Sequence, residues 1–235
     1  MNILSIDFDY FADCDSAFRA MHFPDGGNEY NSLLNNIVWS GNYASGRLNK
    51  EPIESIGVLE KKLDYVCGIL QQQMPDKILI ADSHTHAYEF VKNNCNDIDG
   101  YVDLYNIDYH PDTYNSGDDE VHCGNWLKKL LVEKIVDDAF WIAREDSEAE
   151  TDKFLIPTKL EEIDGIDFDL IFICRSGWWS PPHLDDIFIE KLLKPMQLLG
   201  YPCEYEVLLE NSRYDEEFQK NIKQFAEMQQ QIMKR

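Results

Sequence analysis

Cations are scarce in this sequence: 21 lysines and arginines stand against 44 aspartates and glutamates in 235 residues, for a formal charge of −23. A phosphate backbone is held by clustered Lys and Arg, so the shortage argues against nucleic acid as a partner and favours a cationic one. Acidity of this size also keeps a protein soluble whatever it binds. Long apolar runs are missing as well. The opening stretch Met1-Asn2-Ile3-Leu4-Ser5-Ile6-Asp7-Phe8-Asp9 puts two acids where a signal peptide needs unbroken apolar residues. No later run approaches a membrane span, so the expectation is a cytoplasmic protein with no membrane partner. The six cysteines, at positions 14, 67, 95, 123, 174 and 203, contain no Cys-x-x-Cys pair. Their scatter, without a secretion signal, argues against a zinc knuckle and a disulfide framework and suggests reduced thiols.

What is present is an ordinary apolar fraction of 44% and a length suited to one domain over residues 1–235. Short apolar runs flanked by turn residues predict strands at Ile3–Ile6, Lys77–Ala81, Val102–Ile107, Phe140–Ala143 and Leu170–Cys174, with a weaker one at Glu204–Leu209. Helical spacing of apolar residues predicts helices over Ile56–Gln73, Trp126–Val136 and Ile187–Leu199, and an amphipathic helix from Tyr214 to Arg235. Strands alternating with helices predict an α/β fold, three layers with a largely parallel sheet. The polar stretch Asn35–Lys50, with Gly41 and Gly46, reads as a long irregular region.

Ligands of open parallel sheets sit beyond the carboxyl ends of the strands, so the polar residues that follow each apolar run matter most. Three runs end this way: Ile3–Ile6 leads into Asp7-Phe8-Asp9, Lys77–Ala81 into Asp82-Ser83-His84-Thr85-His86, and Val102–Ile107 into Asp108-Tyr109-His110-Pro111-Asp112. If these segments stay extended, Asp108, His110 and Asp112 share a face, as do Asp7 and Asp9. Carboxylates gathered so closely repel one another unless a divalent cation neutralises them. A donor set of oxygens with one or two imidazoles suits Mn²⁺ better than structural zinc. Each motif also has a plainer reading. Asp7 and Asp9 could cap a following helix, and His84 and His86 could be loop histidines. His122, just ahead of a predicted helix, is placed to move protons or to cap that helix. The Arg175-Ser176-Gly177-Trp178-Trp179 turn walls the pocket or simply packs.

Taken together, these residues resemble the arginase and deacetylase superfamily of metal hydrolases, most closely its peptide arginases. Asp108-Tyr109-His110-Pro111-Asp112 resembles the superfamily's Asp-x-His-x-Asp motif, and Ser5-Ile6-Asp7-Phe8-Asp9 resembles its Ser-x-Asp-x-Asp motif. Ser83-His84-Thr85-His86-Ala87 is similar to the segment that carries a further ligand. The resemblance implies two Mn²⁺ ions held by Asp7, Asp9, His84, Asp108, His110 and Asp112, with His86 as the alternative to His84 or as a substrate-binding neighbour. It implies His122 as proton shuttle, Asp9 as a second catalytic group, and Asn125 at the substrate. The implied reaction is hydrolysis of an arginine guanidinium in a cationic peptide to ornithine and urea. Metal-dependent deacylation of lysine or polyamine amides, or plain capture of a basic peptide, are the alternatives. In ordinary arginases the Ser-x-Asp-x-Asp motif comes last in the chain; here it comes first, so the motif order is circularly permuted. Glu29, Glu206 and Glu210 are candidates, by location, for the acid that holds the guanidinium. Oligomeric state is left open.

Overall fold

A computed structural model describes residues 1–24, 31–96, 98–114, 120–147, 153–198, 204–209 and 212–233. Its centre is a sheet of seven parallel strands in the order β5-β4-β3-β1-β6-β2-β7. The strands are β1 (Asn2–Asp7), β2 (Lys77–Ala81), β3 (Asp103–Ile107), β4 (Asp138–Ile142), β5 (Ile156–Pro157), β6 (Leu170–Cys174) and β7 (Glu204–Leu208). Six match the predicted strands to within two residues; the two-residue β5, a single pairing beside β4, is too short to leave a sequence signal. The middle strands read as unbroken apolar runs because helices cover them on both sides.

Helices α4 (Thr85–Cys95) and α5 (Trp126–Val132) cover one face, packing Val91, Trp126 and Leu130 against Ile3, Leu79 and Phe172. The other face carries α2 (Ser32–Leu48), α3 (Glu60–Leu70) and α8 (Glu216–Met233). It also carries α6 (Asp185–Phe188), which runs through a π-helical turn at Ile189–Leu193 into α7 (Lys194–Leu198). Short α1 (Ser16–His22) precedes α2. This is the predicted three-layer α/β architecture.

The stretch expected to be irregular is mostly the helix α2. Asn31 caps it, its side chain accepting from the Leu34 amide at 2.9 Å. Two glycines cost a helix about 1 kcal/mol each, and burial of Trp39, Tyr43 and Ala44 offsets that cost. Gly46 has a steric reason to be there, since a Cβ at that position would sit 2.7 Å from the Glu51 carbonyl oxygen.

Handedness sets the position of the site. Crossovers that move the chain from β1 towards β7 run over the α2/α3 face, and those moving it towards β5 run over the α4/α5 face, as one right-handed rule requires. The two directions diverge between β1 and β3, which are hydrogen-bonded neighbours. A crevice opens at the carboxyl ends of such a pair.

Candidate metal centre

The carboxyl end of β1 supplies Asp7 and Asp9, but not through an extended segment. A 3₁₀ helix starts at Phe8, and Asp7 caps it by accepting the Asp9 amide at 2.9 Å, so the capping reading holds for Asp7. The end of β3 behaves similarly. The chain turns after Ile107, the His110 amide donates to Asp108 Oδ1 at 2.8 Å, and Asp112 takes a left-handed backbone with φ 53°. Convergence of Asp108, His110 and Asp112 therefore comes from a tight turn, not from strand alternation. Aspartate is among the few residues that tolerate that conformation.

Five of the six predicted ligands, Asp7, Asp9, His84, Asp108 and Asp112, are buried, and His110 is 23% exposed. His84 stands directly ahead of α4, where its Nδ1 lies 2.9 Å from Asp7, 3.4 Å from Asp112 and 3.6 Å from Asp108. Its Nε2 is 3.1 Å from the Ser5 hydroxyl and its ring stacks on Trp126, which fixes which nitrogen faces the acids. His110 Nδ1 lies 3.1 Å from Asp9 Oδ2 and 3.9 Å from Asp108 Oδ1. Donor atoms thus fall into two groups within metal-binding reach, Asp9–Asp108–His110 and His84–Asp108–Asp112, which share Asp108. A third group, Asp7–His84–Cys174, adds a buried thiol that sequence reasoning missed. The register places Cys174 opposite Asp7 on the neighbouring strand, a pairing that only the fold reveals.

Burial, and then the neighbouring charges of Asp112, Asp7 and Asp9, push the Asp108 carboxyl well above its ordinary value. Burial likewise raises Asp112 to about 6 and raises Asp7. Burial opposes ionisation of Asp9 too, but the adjacent His110 and Arg19 outweigh it and hold Asp9 below the usual range. Asp9 Oδ1 is buried without a hydrogen-bond donor, and Oδ2 is met by the His110 imidazole at 3.1 Å and Arg19 at 3.5 Å. An orphaned carboxylate oxygen among two imidazoles and three further acids is the donor chemistry that a divalent ion satisfies. The residues therefore fit a divalent metal ion, with the Cys174 thiol as the one soft donor.

Surrounding groups hold these donors in place. Trp126 Nε1 donates to Asp112 Oδ2 at 2.5 Å, and the Asn106 side-chain amide donates to Asp108 Oδ2 at 3.2 Å. Arg19, on α1, donates to the Asp9 carbonyl oxygen at 2.5 Å, and its guanidinium carbon lies 3.9 Å from the centre of the Tyr109 ring. A cavity of about 210 Å³ opens over His110, walled by Arg19, Phe23, Tyr109, Tyr114 and Trp179. Trp179 comes from the aromatic turn after β6 and tilts against His110 with ring centres 5.1 Å apart, so that turn does wall the site. Arg19 left no sequence signal, because a seven-residue helix shows little periodicity.

The remaining predicted residues lie apart from this cluster or beside its mouth. His86 lines a groove beside β7 and is absent from all three donor groups. The Asn125 side chain closes its own loop, accepting from the His122 amide at 2.9 Å and donating to the Glu120 carbonyl at 3.0 Å. His122 Nδ1 accepts from the Gly124 amide at 3.2 Å, and Gly124 in turn bonds to the Tyr114 amide, which places this loop at the cavity wall. Glu206 lies on β7 and faces the same groove as His86. Glu29 and Glu210 lie outside the described residues. Among the described residues, no helix is long and apolar enough to cross a membrane.

Compared with known proteins, the chain matches no protein-family model, no curated protein and no solved structure.

Proposed function

We propose that this chain is a binuclear metal hydrolase that opens the guanidinium of an arginine residue in a peptide, leaving ornithine and releasing urea. The observation that carries the reading is the shared carboxylate: Asp108 turns one oxygen towards His110 and the other towards His84, serving two donor groups at once. Asp9, His110 and Asp108 would hold one ion, and His84, Asp112 and Asp108 the other, with Asp7 beside His84. Two Mn²⁺ ions, when bound, supply an acidified water and the Lewis acidity that draws electrons from the carbon under attack.

The protein's own residues do the rest. Aromatic faces at Tyr109, Tyr114 and Trp179 suit a planar cation. Arg19 already rests on Tyr109 in this way, so the wall accepts a guanidinium. Asp9 orients the attacking water's proton, and His122, on the loop beside Tyr114, carries a proton between the leaving amine and solvent.

Two observations favour a second reading, hydrolysis of a lysine or polyamine amide with zinc. Arg19 brings a positive charge to the cavity that a cationic substrate must tolerate, and Cys174 offers a soft donor. Metal analysis joined to product assays separates the two. Protein purified with Mn²⁺ is expected to bind two ions per chain and to release urea from an arginine peptide, with Asp108→Ala inactive. Two bound Mn²⁺ ions without urea from free arginine, agmatine or arginine peptides would sink the first reading, and acetate released by a one-zinc form would establish the second.

A further inference from the structure

A second groove lies apart from the one over the metal centre. It holds about 500 Å³ between α4 and β7, and its floor and wall include Leu79, Leu208, Phe90 and His86, with Glu89 and Glu206 at the rim. We propose that this groove docks an extended basic peptide segment along β7, at a site separate from the metal centre. The inference does not depend on which reaction the metal centre performs.

Topology leaves the groove open. Only crossovers running towards β5 lay a helix on the α4 face, and β7, the last strand at the opposite edge, is followed by α8 instead. That helix returns to the other face, where Phe218 and Ile222 bury beside Trp39 and Tyr43. The α4-side residues of β7 therefore have no helix above them, and Leu208 is 43% exposed. Among the described residues β7 pairs only with β2, so its outer backbone groups face away from the sheet. An exposed edge of this kind accepts a further strand, whose alternate side chains drop into any adjoining pocket. Five strand residues span about 16 Å, room for roughly five extended residues of a ligand.

Charge selects the occupant. Lys77 and Glu204, the first residues of β2 and β7, pair at 2.7 Å at one end of the groove, and among the described residues Glu89 and Glu206 have no such cation. Glu204 and Glu206 would oppose a second copy of β7, which argues against edge-to-edge self-association. A strand whose groove-facing positions, every second residue, carry both Lys or Arg and apolar side chains satisfies both parts of the groove, the cations reaching Glu89 and Glu206 and the apolar side chains covering Leu79, Leu208 and Phe90.

The test is fluorescence anisotropy with a labelled peptide of about seven residues in which every second position is lysine or valine in turn and threonine fills the positions between, free of arginine so that it is no substrate for guanidinium hydrolysis. Saturable binding is expected. It should weaken roughly tenfold in Glu89→Lys/Glu206→Lys, the scale of two exposed attractions turned repulsive. It should stay unchanged in Glu217→Lys/Glu227→Lys on α8 and in Asp108→Asn. Hydrogen exchange on the unaltered protein supplies a reading free of mutation, with the bound peptide expected to slow the amides of β7. Absence of binding, equal weakening by the α8 variant, dependence on Asp108 or unprotected β7 amides would each overturn the proposal. Loss of urea release with peptide binding intact would instead count against the hydrolase reading alone.

Discussion

Two clusters of buried charge sit at the carboxyl ends of these strands, and they are balanced in opposite ways. Beyond β2 and β6, Asp82 and Asp185 meet Arg175 and Arg213. Arg175 bonds Asp82 at 2.6 and 2.8 Å and Asp185 at 3.2 Å, while Arg213 bonds Asp185 at 2.6 and 2.9 Å and the Ser180 carbonyl at 3.0 Å. Two carboxylates face two guanidinium groups. Beyond β1 and β3, four carboxylates face one guanidinium, Arg19, and two imidazoles. The first cluster is complete within the chain and anchors the 175–180 turn that carries Trp179. The second lacks positive charge, and its carboxyls show it: burial raises Asp108, Asp112 and Asp7, whereas Arg175 more than offsets burial at Asp82 and holds that acid below its ordinary value. Similar residues thus produce a structural clamp in one place and a cation-seeking site in the other.

The largest expected effect comes from breaking the shared acid. Asp108→Asn keeps the shape and removes the charge common to both donor groups, so, if the proposed hydrolase reading holds, bound Mn²⁺ is expected to drop below two ions per chain and turnover by on the order of a thousandfold. Metal analysis and product release check it. In the balanced cluster, Arg213→Met leaves the buried Asp185 carboxylate only Arg175 and a backbone amide and should cost about 3 kcal/mol in denaturant unfolding, with intrinsic metal affinity of the folded fraction retained. Ser5→Ala and Trp126→Phe remove bonds to His84 and Asp112 without touching a donor atom, and each is expected to weaken metal binding by roughly 10–100-fold in a titration.

The smallest and most discriminating effect is on pH dependence. Burial pushes Asp112 up to about 6 in the folded protein, against an ordinary value of 3.8, and burial with the neighbouring acids holds Asp108 well above its ordinary value. The folded state then holds protons that the unfolded chain has released, so this stabilisation is present below the ordinary value and is lost as pH rises through about 6. Metal-free protein should melt several degrees lower at about pH 7 than at about pH 5. Mn²⁺ should reverse the slope, because metal ligands must be deprotonated. Asp82 has the opposite sign: its contribution is present above the ordinary value and disappears only on stronger acidification. A metal-free melting temperature that rose steadily from pH 5 to 7 would contradict the contrast.

Much of this was legible in one sequence, for definite reasons. Buried parallel strands leave apolar runs, and the acids that end Ile3–Ile6 and Val102–Ile107 interrupt them visibly. The resemblance already favoured His84 over His86, and the start of α4 supplies the physical reason only His84 faces the acids, since two positions along a helix point a side chain to different sides. What stayed hidden depends on contacts between distant parts of the chain. Cys174 meets Asp7 only through strand register, Arg19 sits on a helix too short to show a pattern, and Asp185 meets Arg213 across 28 residues. Helix α2 was obscured by glycines that packing tolerates, and the turn at Asp112 by a spacing that an extended segment would share.

The central place of β1 has a consequence for how the protein is made. This strand emerges from the ribosome first of the seven, yet its neighbours are β3, about a hundred residues later, and β6, later still. At bacterial-to-eukaryotic synthesis speeds of roughly 5–20 residues per second, an apolar segment waits on the order of ten seconds or more for the partners that cover it. During that wait it is open to chaperones or to stray pairing, and long-range parallel pairing is slow even once the chain is complete. Asp7 acquires its neighbours only when that wait ends, so the finished donor set would serve as a late marker that synthesis and folding have both succeeded.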